Sequence, residues 1–211
     1  PLLNRPLRGA YPPGSTIKPF LALAALTSGK RTPGQTIFDP GYYTLAGGAH
    51  RFRDDKPGGH GTVDMLKSIV VSCDTYYYIL ANDLGVDTIY EHMHRFCFGD
   101  LTGIDIQGES KGLLPSTTWK REYNKRNPAN QKWFAGETIS LGIGQGYNSF
   151  TVLQMASAMG TLANDGIKMK PHLVQKVVDV VTRQPVMSTE RQSMGERIAK
   201  PENIAIVRNA M

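Results

Sequence analysis

Glycine and proline punctuate this chain too often for any long element to survive. Among 211 residues there are 22 Gly and 13 Pro, roughly one residue in six, against about one in eight in an average protein. The chain must therefore fold as short elements broken by many turns. Hydrophobic residues still make up 40% and charged residues 20%, which excludes a disordered tail and a coiled coil. The length suits one ordinary domain with a core of its own. No apolar run approaches the ~18 residues that a membrane span needs, and no signal peptide opens the chain.

Charge narrows the partners. The 24 Lys and Arg exceed the 18 Asp and Glu, leaving a formal charge of +6. The basic residues are scattered, the densest groups being the pairs Lys120-Arg121 and Lys125-Arg126, and no nucleic-acid-reading motif accompanies them. The expectation is a solvated basic surface, no nucleic-acid partner, and a balance that suits a substrate carrying carboxylates. Two cysteines, Cys73 and Cys97, are compatible with one bridge, with buried thiols, or with one metal ligand. The opening Pro1-Leu2-Leu3-Asn4-Arg5 and the closing 201–211 both read as interior sequence, the latter as an interrupted helix, so part of a longer protein is expected.

Along the chain, Pro12-Pro13-Gly14 turns into a helical, largely apolar run from Thr16 to Thr27, with Pro19 tolerated in its first turn. Residues 36–62 form a loop-rich insert with a strand candidate at Tyr42-Tyr43-Thr44. Helices are predicted from Thr62, as N-cap, to Val71, and from Asp74 or Thr75 to Leu84. A third runs from an Asp87 cap to Phe96, and a short one opens at Ser116. The stretch 124–130 reads as an exposed loop. Thr138-Ile139-Ser140-Leu141 reads as strand-like ahead of Gly142, Gly144 and Gly146; Thr151–Asn164 reads as a helix and His172–Thr182 as a strand. Helices first and strands mainly later give an α/β or α+β layout.

The sharpest local feature is Ser15-Thr16-Ile17-Lys18 at a helix N-terminus. Residues i and i+3 share a helix face, so the Lys18 amine is expected to reach the Ser15 hydroxyl. A serine becomes a nucleophile when a base takes its proton, and a lysine of depressed pKa serves. The same spacing also fits a capped helix carrying a surface lysine. Ser72-Cys73-Asp74 falls between two predicted helices. A hydroxyl and a carboxylate presented there could relay protons and bind an amide, or merely cap the second helix. Tyr76-Tyr77-Tyr78 reads as packing, and His50, His92, His94 and His172 as ordinary histidines.

Taken together, SxxK within Tyr11-Pro12-Pro13-Gly14-Ser15-Thr16-Ile17-Lys18-Pro19 and the SxD triplet Ser72-Cys73-Asp74 resemble two of the three motifs of the penicillin-binding proteins and serine β-lactamases. Phe38-Asp39-Pro40-Gly41, Gly59-His60-Gly61, Gly142-Ile143-Gly144-Gln145-Gly146-Tyr147, and Asp165-Gly166 through Pro171-His172 extend the likeness over nearly the whole chain. It is to the transpeptidase domain of the penicillin-binding protein 2 subfamily, the class B enzymes of cell-wall elongation in Gram-negative bacteria. The fold so implied is the α/β transpeptidase fold, a helical subdomain plus an antiparallel sheet flanked by helices, incomplete at both ends over residues 1–211. The third motif, KTG or KSG, occurs nowhere in the sequence; Lys30-Arg31-Thr32 is followed by Pro33. The resemblance implies that it lies beyond residue 211, on a strand that also supplies an oxyanion donor, so this piece alone is expected to be impaired.

The resemblance also implies the roles. Ser15 would attack the penultimate carbonyl of a D-Ala-D-Ala stem peptide with Lys18 as base, Ser72 would pass the proton to the leaving D-Ala, and Asp74 would orient the set. Gly142, Gly144 and Gln145 would line the substrate site. β-Lactams would acylate Ser15, a glycosyltransferase and elongation-complex membrane proteins would be partners, and the setting would be the periplasmic face of the inner membrane. The rival readings are a serine β-lactamase, or a β-lactam sensor or scaffold of the same fold. A deacylating Glu is not recognisable around Glu122 or Glu137.

Asp39, Asp54, His60 and Cys73 offer O, O, N and S donors, a set Zn²⁺ accepts in tetrahedral geometry. Their spacing matches no CxxC-type finger, and surface polar residues beside a buried thiol give the same pattern. Some penicillin-binding protein 2 members carry zinc near the active site, and these four positions match it by type. The resemblance thus implies a structural zinc that pins the 36–62 insert to the Ser72 region, with Cys73 unavailable to Cys97.

Overall fold

The computed structural model describes residues 3–211. A one-turn helix α1 (Arg5–Arg8) and a short strand β1 (Ala10–Tyr11) lead to a 3-10 turn, Gly14–Ile17, which runs straight into α2 (Lys18–Thr27). The insert holds β2 (Ile37–Asp39), β3 (Tyr42–Thr44), β4 (Arg51–Arg53) and β5 (Gly61–Val63). Then come α3 (Met65–Val70), α4 (Asp74–Leu84), α5 (Val86–His94), α6 (Thr117–Tyr123) and α7 (Ala135–Leu141). The chain continues through β6 (Phe150–Thr151), α8 (Val152–Ala163), β7 (Lys176–Val178), β8 (Pro185–Ser188) and α9 (Pro201–Ala210).

The structure is organised around α2. Phe20, Leu21, Ala22, Leu23, Ala24 and Ala25 are all buried, and a helix apolar on every face is stable only when enclosed. α3, α4, α5 and α9 enclose it. Phe20 meets Phe96 and Phe98 edge-to-face at 4.9 and 5.3 Å between ring centres, the arrangement that ring quadrupoles favour. Tyr76 and Tyr77 are buried on α4, as packing residues.

Strands occur as four separate two-stranded antiparallel sheets: β1–β6, β2–β5, β3–β4 and β7–β8. In the insert, β2 pairs with β5 (Phe38 opposite Thr62) around the inner hairpin β3–β4 (Tyr43 opposite Phe52). This nesting returns residue 61 to residue 39, so both ends of the insert stand together beside α4. The mixed α/β class follows the expectation, but no sheet exceeds two strands among the described residues, and five of the eight strands precede the helical cluster rather than follow it. No helix among the described residues is long and apolar enough to cross a membrane.

Several elements differ from the sequence-based expectation. Thr138–Leu141 is helical, as the last part of α7. Glu137 at the third position of that helix accepts the Phe134 N–H at 2.8 Å, a capping contact that outweighs the β-preference of Thr138 and Ile139. α3 is capped by Asp64, which accepts the Lys67 N–H at 2.8 Å, and Thr62 belongs to β5. α5 starts at Val86 and stops at His94, and Asp87 instead accepts the Thr117 N–H and hydroxyl, tying α5 to α6. Only residues 176–178 of His172–Thr182 pair as strand, because Asp105 takes the N–H groups of Leu173 and Val174.

Gln154 holds the loops beneath α8. It is wholly buried; its amide nitrogen donates toward the carbonyls of Cys97, Asp100 and Lys111 at 2.8–3.1 Å, and its oxygen accepts the Thr151 N–H. Gln154→Leu keeps the volume and leaves these backbone groups without a partner, at a cost of about 2 kcal/mol or more. The expected outcome is a fall in thermal midpoint of roughly 4–8 °C, measured by circular dichroism; an unchanged midpoint would show that water replaces the amide.

Candidate active site

Two chain segments converge at the N-terminus of α2. Ser15 is the second residue of the 3-10 turn and is exposed. Gly14 before it has φ +58°, a left-handed conformation that glycine adopts without penalty. Lys18, one turn on, is only 2% exposed, because α2 carries it into the core. A buried ammonium requires acceptors and a counter-charge. Its Nζ donates to the Ser72 carbonyl at 2.5 Å, to Ser72 Oγ at 2.9 Å and to Asp74 Oδ1 at 2.5 Å. Three acceptors fill the three N–H donors of an ammonium.

The Lys18 N–H donates to the Ser15 carbonyl, but the Lys18 amine makes no hydrogen bond to the Ser15 hydroxyl, contrary to the expectation from i,i+3 spacing. The carboxylate and the carbonyl outcompete a solvated hydroxyl for a buried cation. Ser72 and Asp74 are thus brought to Lys18 as expected, whereas Ser15, one turn before it, is exposed.

The α3–α4 junction explains how one serine supplies two acceptors. The N–H groups of Ser72 and Cys73 bond back to the carbonyls of Ile69 and Ser68 at 3.2 and 3.0 Å, the paired contacts of a Schellman helix end. Its left-handed position is usually glycine; here it is Ser72, at φ +54°. A side chain there costs about 1–2 kcal/mol. The cost marks the hydroxyl as retained for something other than helix termination. Asp74 follows as the first residue of α4, where a carboxylate is favoured by the helix dipole.

The Gly142–Gly146 turn closes the site from the other side. The Gly14 N–H donates to the Gly144 carbonyl at 3.1 Å. Gly144 has φ +70°, and a Cβ there would overlap the Gly14 backbone, so this crossing of two main chains needs glycine. Gly142 is buried in the same turn, and Gln145 is exposed.

Three donor residues of the insert also meet Cys73 from the α3–α4 junction. One ligand atom each from Asp39, Asp54, His60 and Cys73 lies within 4.8 Å of every other. His60 Nδ1 is 3.0 Å from Asp39 and 3.2 Å from Asp54, and Cys73 Sγ is 3.5 Å from a carboxylate oxygen of each. Burial pushes the Asp39 carboxyl up, but the nearby Thr75 hydroxyl and hydrogen bonds from His60 and the Gly41 amide bring it down to about 2. Burial likewise raises Asp54, and hydrogen bonds, first that of the Thr75 N–H, more than offset it. Burial and the two carboxylates push the Cys73 thiol up. Two buried anions, an imidazole and a thiol without a cationic side chain among them are a donor set that a divalent cation would neutralise. The group can hold a metal. Cys73 and Cys97 are both free, so no bridge competes.

Sequence reasoning missed a cluster behind the glycine turn. Lys120 is buried and donates to both oxygens of Glu137 at 2.5 and 2.6 Å, and the Tyr147 hydroxyl donates to the same carboxylate at 3.0 Å. Reading residues 138–141 as strand concealed it, since Glu137 reads as a helix cap only once α7 is seen as a helix.

Comparisons with known proteins give the family. The family model described as the penicillin-binding protein transpeptidase domain matches residues 1–211. The peptidoglycan D,D-transpeptidase MrdA of Acinetobacter baumannii is 48% identical over 175 residues, covering 83% of this chain and 25% of that protein. The same-named protein of Escherichia coli K12 is 40% identical over 196 residues, covering 93% of this chain and 30% of that protein. The chain thus spans between a quarter and a third of the length of these relatives. A crystal structure of Pseudomonas aeruginosa PBP2 in complex with WCK 5153 matches all of this chain and 46% of its own, with 41% identity and a TM-score of 0.84. Helicobacter pylori PBP2, solved in complex with MreC, matches all of this chain and 36% of its own, at 30% identity and a TM-score of 0.81. The chain belongs to the penicillin-binding protein transpeptidase family.

Proposed function

We propose that this chain carries the acylation half of a peptidoglycan D,D-transpeptidase site of the penicillin-binding protein 2 type, which cross-links stem peptides during cell-wall elongation. The observation that carries the reading is the buried Lys18, saturated by Ser72 and Asp74, one helical turn from an exposed Ser15. A structural lysine would have no need of a serine held in the left-handed region.

In this reading Ser15 Oγ attacks the penultimate carbonyl of a D-Ala-D-Ala stem. Lys18 first gives one ammonium proton to solvent, and the lone pair so freed takes the Ser15 proton as the new C–O bond forms, while Asp74 and Ser72 keep the amine from extending into solvent. Ser72, hydrogen-bonded to Lys18, returns the proton to the leaving D-Ala nitrogen. The acyl-enzyme is then taken up by an amine of a neighbouring stem. Gly142, Gly144 and Gln145 form the turn over which substrate backbone passes. β-Lactams, which mimic the D-Ala-D-Ala amide, acylate the same oxygen. The reading sets the domain at the periplasmic face of the inner membrane. Its partners are a glycosyltransferase and elongation-complex membrane proteins, as the complexes solved for related proteins suggest.

Asp39, Asp54, His60 and Cys73 would hold Zn²⁺ in this reading. Four protein ligands leave no open position for a water, so the ion's contribution is structural: it joins the insert to the residue between Ser72 and Asp74.

Incubation of the full-length protein with a slowly released β-lactam is expected to add one acyl mass, absent in Ser15→Ala. An adduct that persists in Ser15→Ala, or none in the unaltered protein, overturns the assignment of Ser15. Elemental analysis of protein purified without chelator is expected to give about one zinc per chain, lost in Cys73→Ser together with several degrees of thermal midpoint. Metal-free protein whose Cys73 alkylates freely would end the zinc reading.

A further inference from the structure

We infer that Lys120, Glu137 and Tyr147 act as a positioning clamp that sets Ser15 through the main chain, an inference that rests on the proposed acyl-transfer reading. The chain of contacts runs without a gap. Lys120 on α6 is 5% exposed and gives two hydrogen bonds to Glu137, while its Nζ lies 5.3–5.9 Å from the ring centres of Trp133, Phe134 and Tyr147. Glu137 lies in the first turn of α7, the glycine turn follows that helix, and Tyr147 immediately after the turn reaches back to Glu137. The hydroxyl–carboxylate bond therefore closes a ring of chain from 137 to 147. Inside that ring the Gln145 N–H bonds to the Ser140 carbonyl at 3.0 Å, and just beyond it Asn148, itself buried, donates back to the Leu141 carbonyl at 3.2 Å. The closed ring offers one carbonyl outward to the active site, that of Gly144, which accepts the N–H of Gly14. Ser15 is the next residue.

Two physical arguments favour position over stability as the clamp's purpose. The Lys120–Glu137 pair, with Lys120 buried and Glu137 21% exposed, is a weak source of folding energy, since desolvation of the amine cancels much of the attraction, whereas two hydrogen bonds to one carboxylate fix its geometry. Furthermore, the Gly144–Gly14 crossing has no side chain between its two backbones to absorb a shift, so a displaced turn moves Gly14 directly. Small misplacements of a reacting group remote from the mutated contact reduce rates by up to about a hundredfold.

The test is stopped-flow acylation of the full-length protein by a chromogenic β-lactam, separating the limiting acylation rate from the apparent dissociation constant. Tyr147→Phe removes only the hydroxyl. It is expected to lower the limiting rate about tenfold while the dissociation constant and thermal midpoint stay near the parent's. Lys120→Met is expected to lower the rate at least as far, and Lys120→Arg, which keeps the charge, to recover part of it. Combining Tyr147→Phe with Gly144→Ala is expected to cost less than the product of the separate effects, because both act on one contact. A parent-like limiting rate in Tyr147→Phe, or full additivity with Gly144→Ala, overturns the clamp. Failure of the unaltered protein to acylate overturns the acyl-transfer reading instead, and the clamp with it.

Discussion

A positive charge in the first turn of a helix that must be buried on every side is the constraint on which this structure depends. α2 cannot leave the core, because its apolar residues face in all directions, and Lys18 therefore goes into the core with it. The surrounding chain has to answer that charge with acceptors. The α3–α4 junction does so with a carbonyl and a hydroxyl from Ser72 and a carboxylate from Asp74. Ser15, a turn earlier on the same helix, is left at the rim where the core ends. The juxtaposition of an exposed hydroxyl and a buried, fully occupied amine is thus a consequence of helix burial, before any chemistry is considered.

The junction is held from two sides. On one, the nested hairpins return Asp39, Asp54 and His60 to Cys73, the residue between the two partners of Lys18. On the other, α7 packs along α4 and ends in the turn that meets Gly14. Insert and turn share no residues and lie far apart in sequence, yet each contacts one of the two segments that build the site. The fold brings both supports to the same few ångströms of backbone, and the Lys120–Glu137 pair sits at the far end of the second.

Much of this was legible in the sequence, for identifiable reasons. α2, α4, α8 and α9 carry strong apolar patterns with turn residues at their ends, and all four form close to the expected bounds. Ser72, Asp74 and Lys18 come together as the motifs imply, as do the three donors of the insert with Cys73. What could not be read was competition between partners. Spacing allows Lys18 to reach Ser15, but only the packed structure reveals that Asp74 and the Ser72 carbonyl claim the amine first. The short apolar run 138–141 fits a strand or a buried helix equally well by pattern; a capping carboxylate decided it, and the same carboxylate concealed the Lys120 cluster. Gln154 gave no signal at all, since its three carbonyl partners come from loops without periodicity.

Ser72 gives the site one further property. Its carbonyl and hydroxyl are two of the three acceptors of Lys18, and both depend on a single left-handed residue at the helix end. One residue thus answers two of the three N–H donors of the amine, through its main chain and its side chain at once. A glycine would suit the left-handed backbone better and keep the carbonyl, but it would give up the hydroxyl; the backbone cost at this position is therefore the cost of a doubled grip on one buried charge.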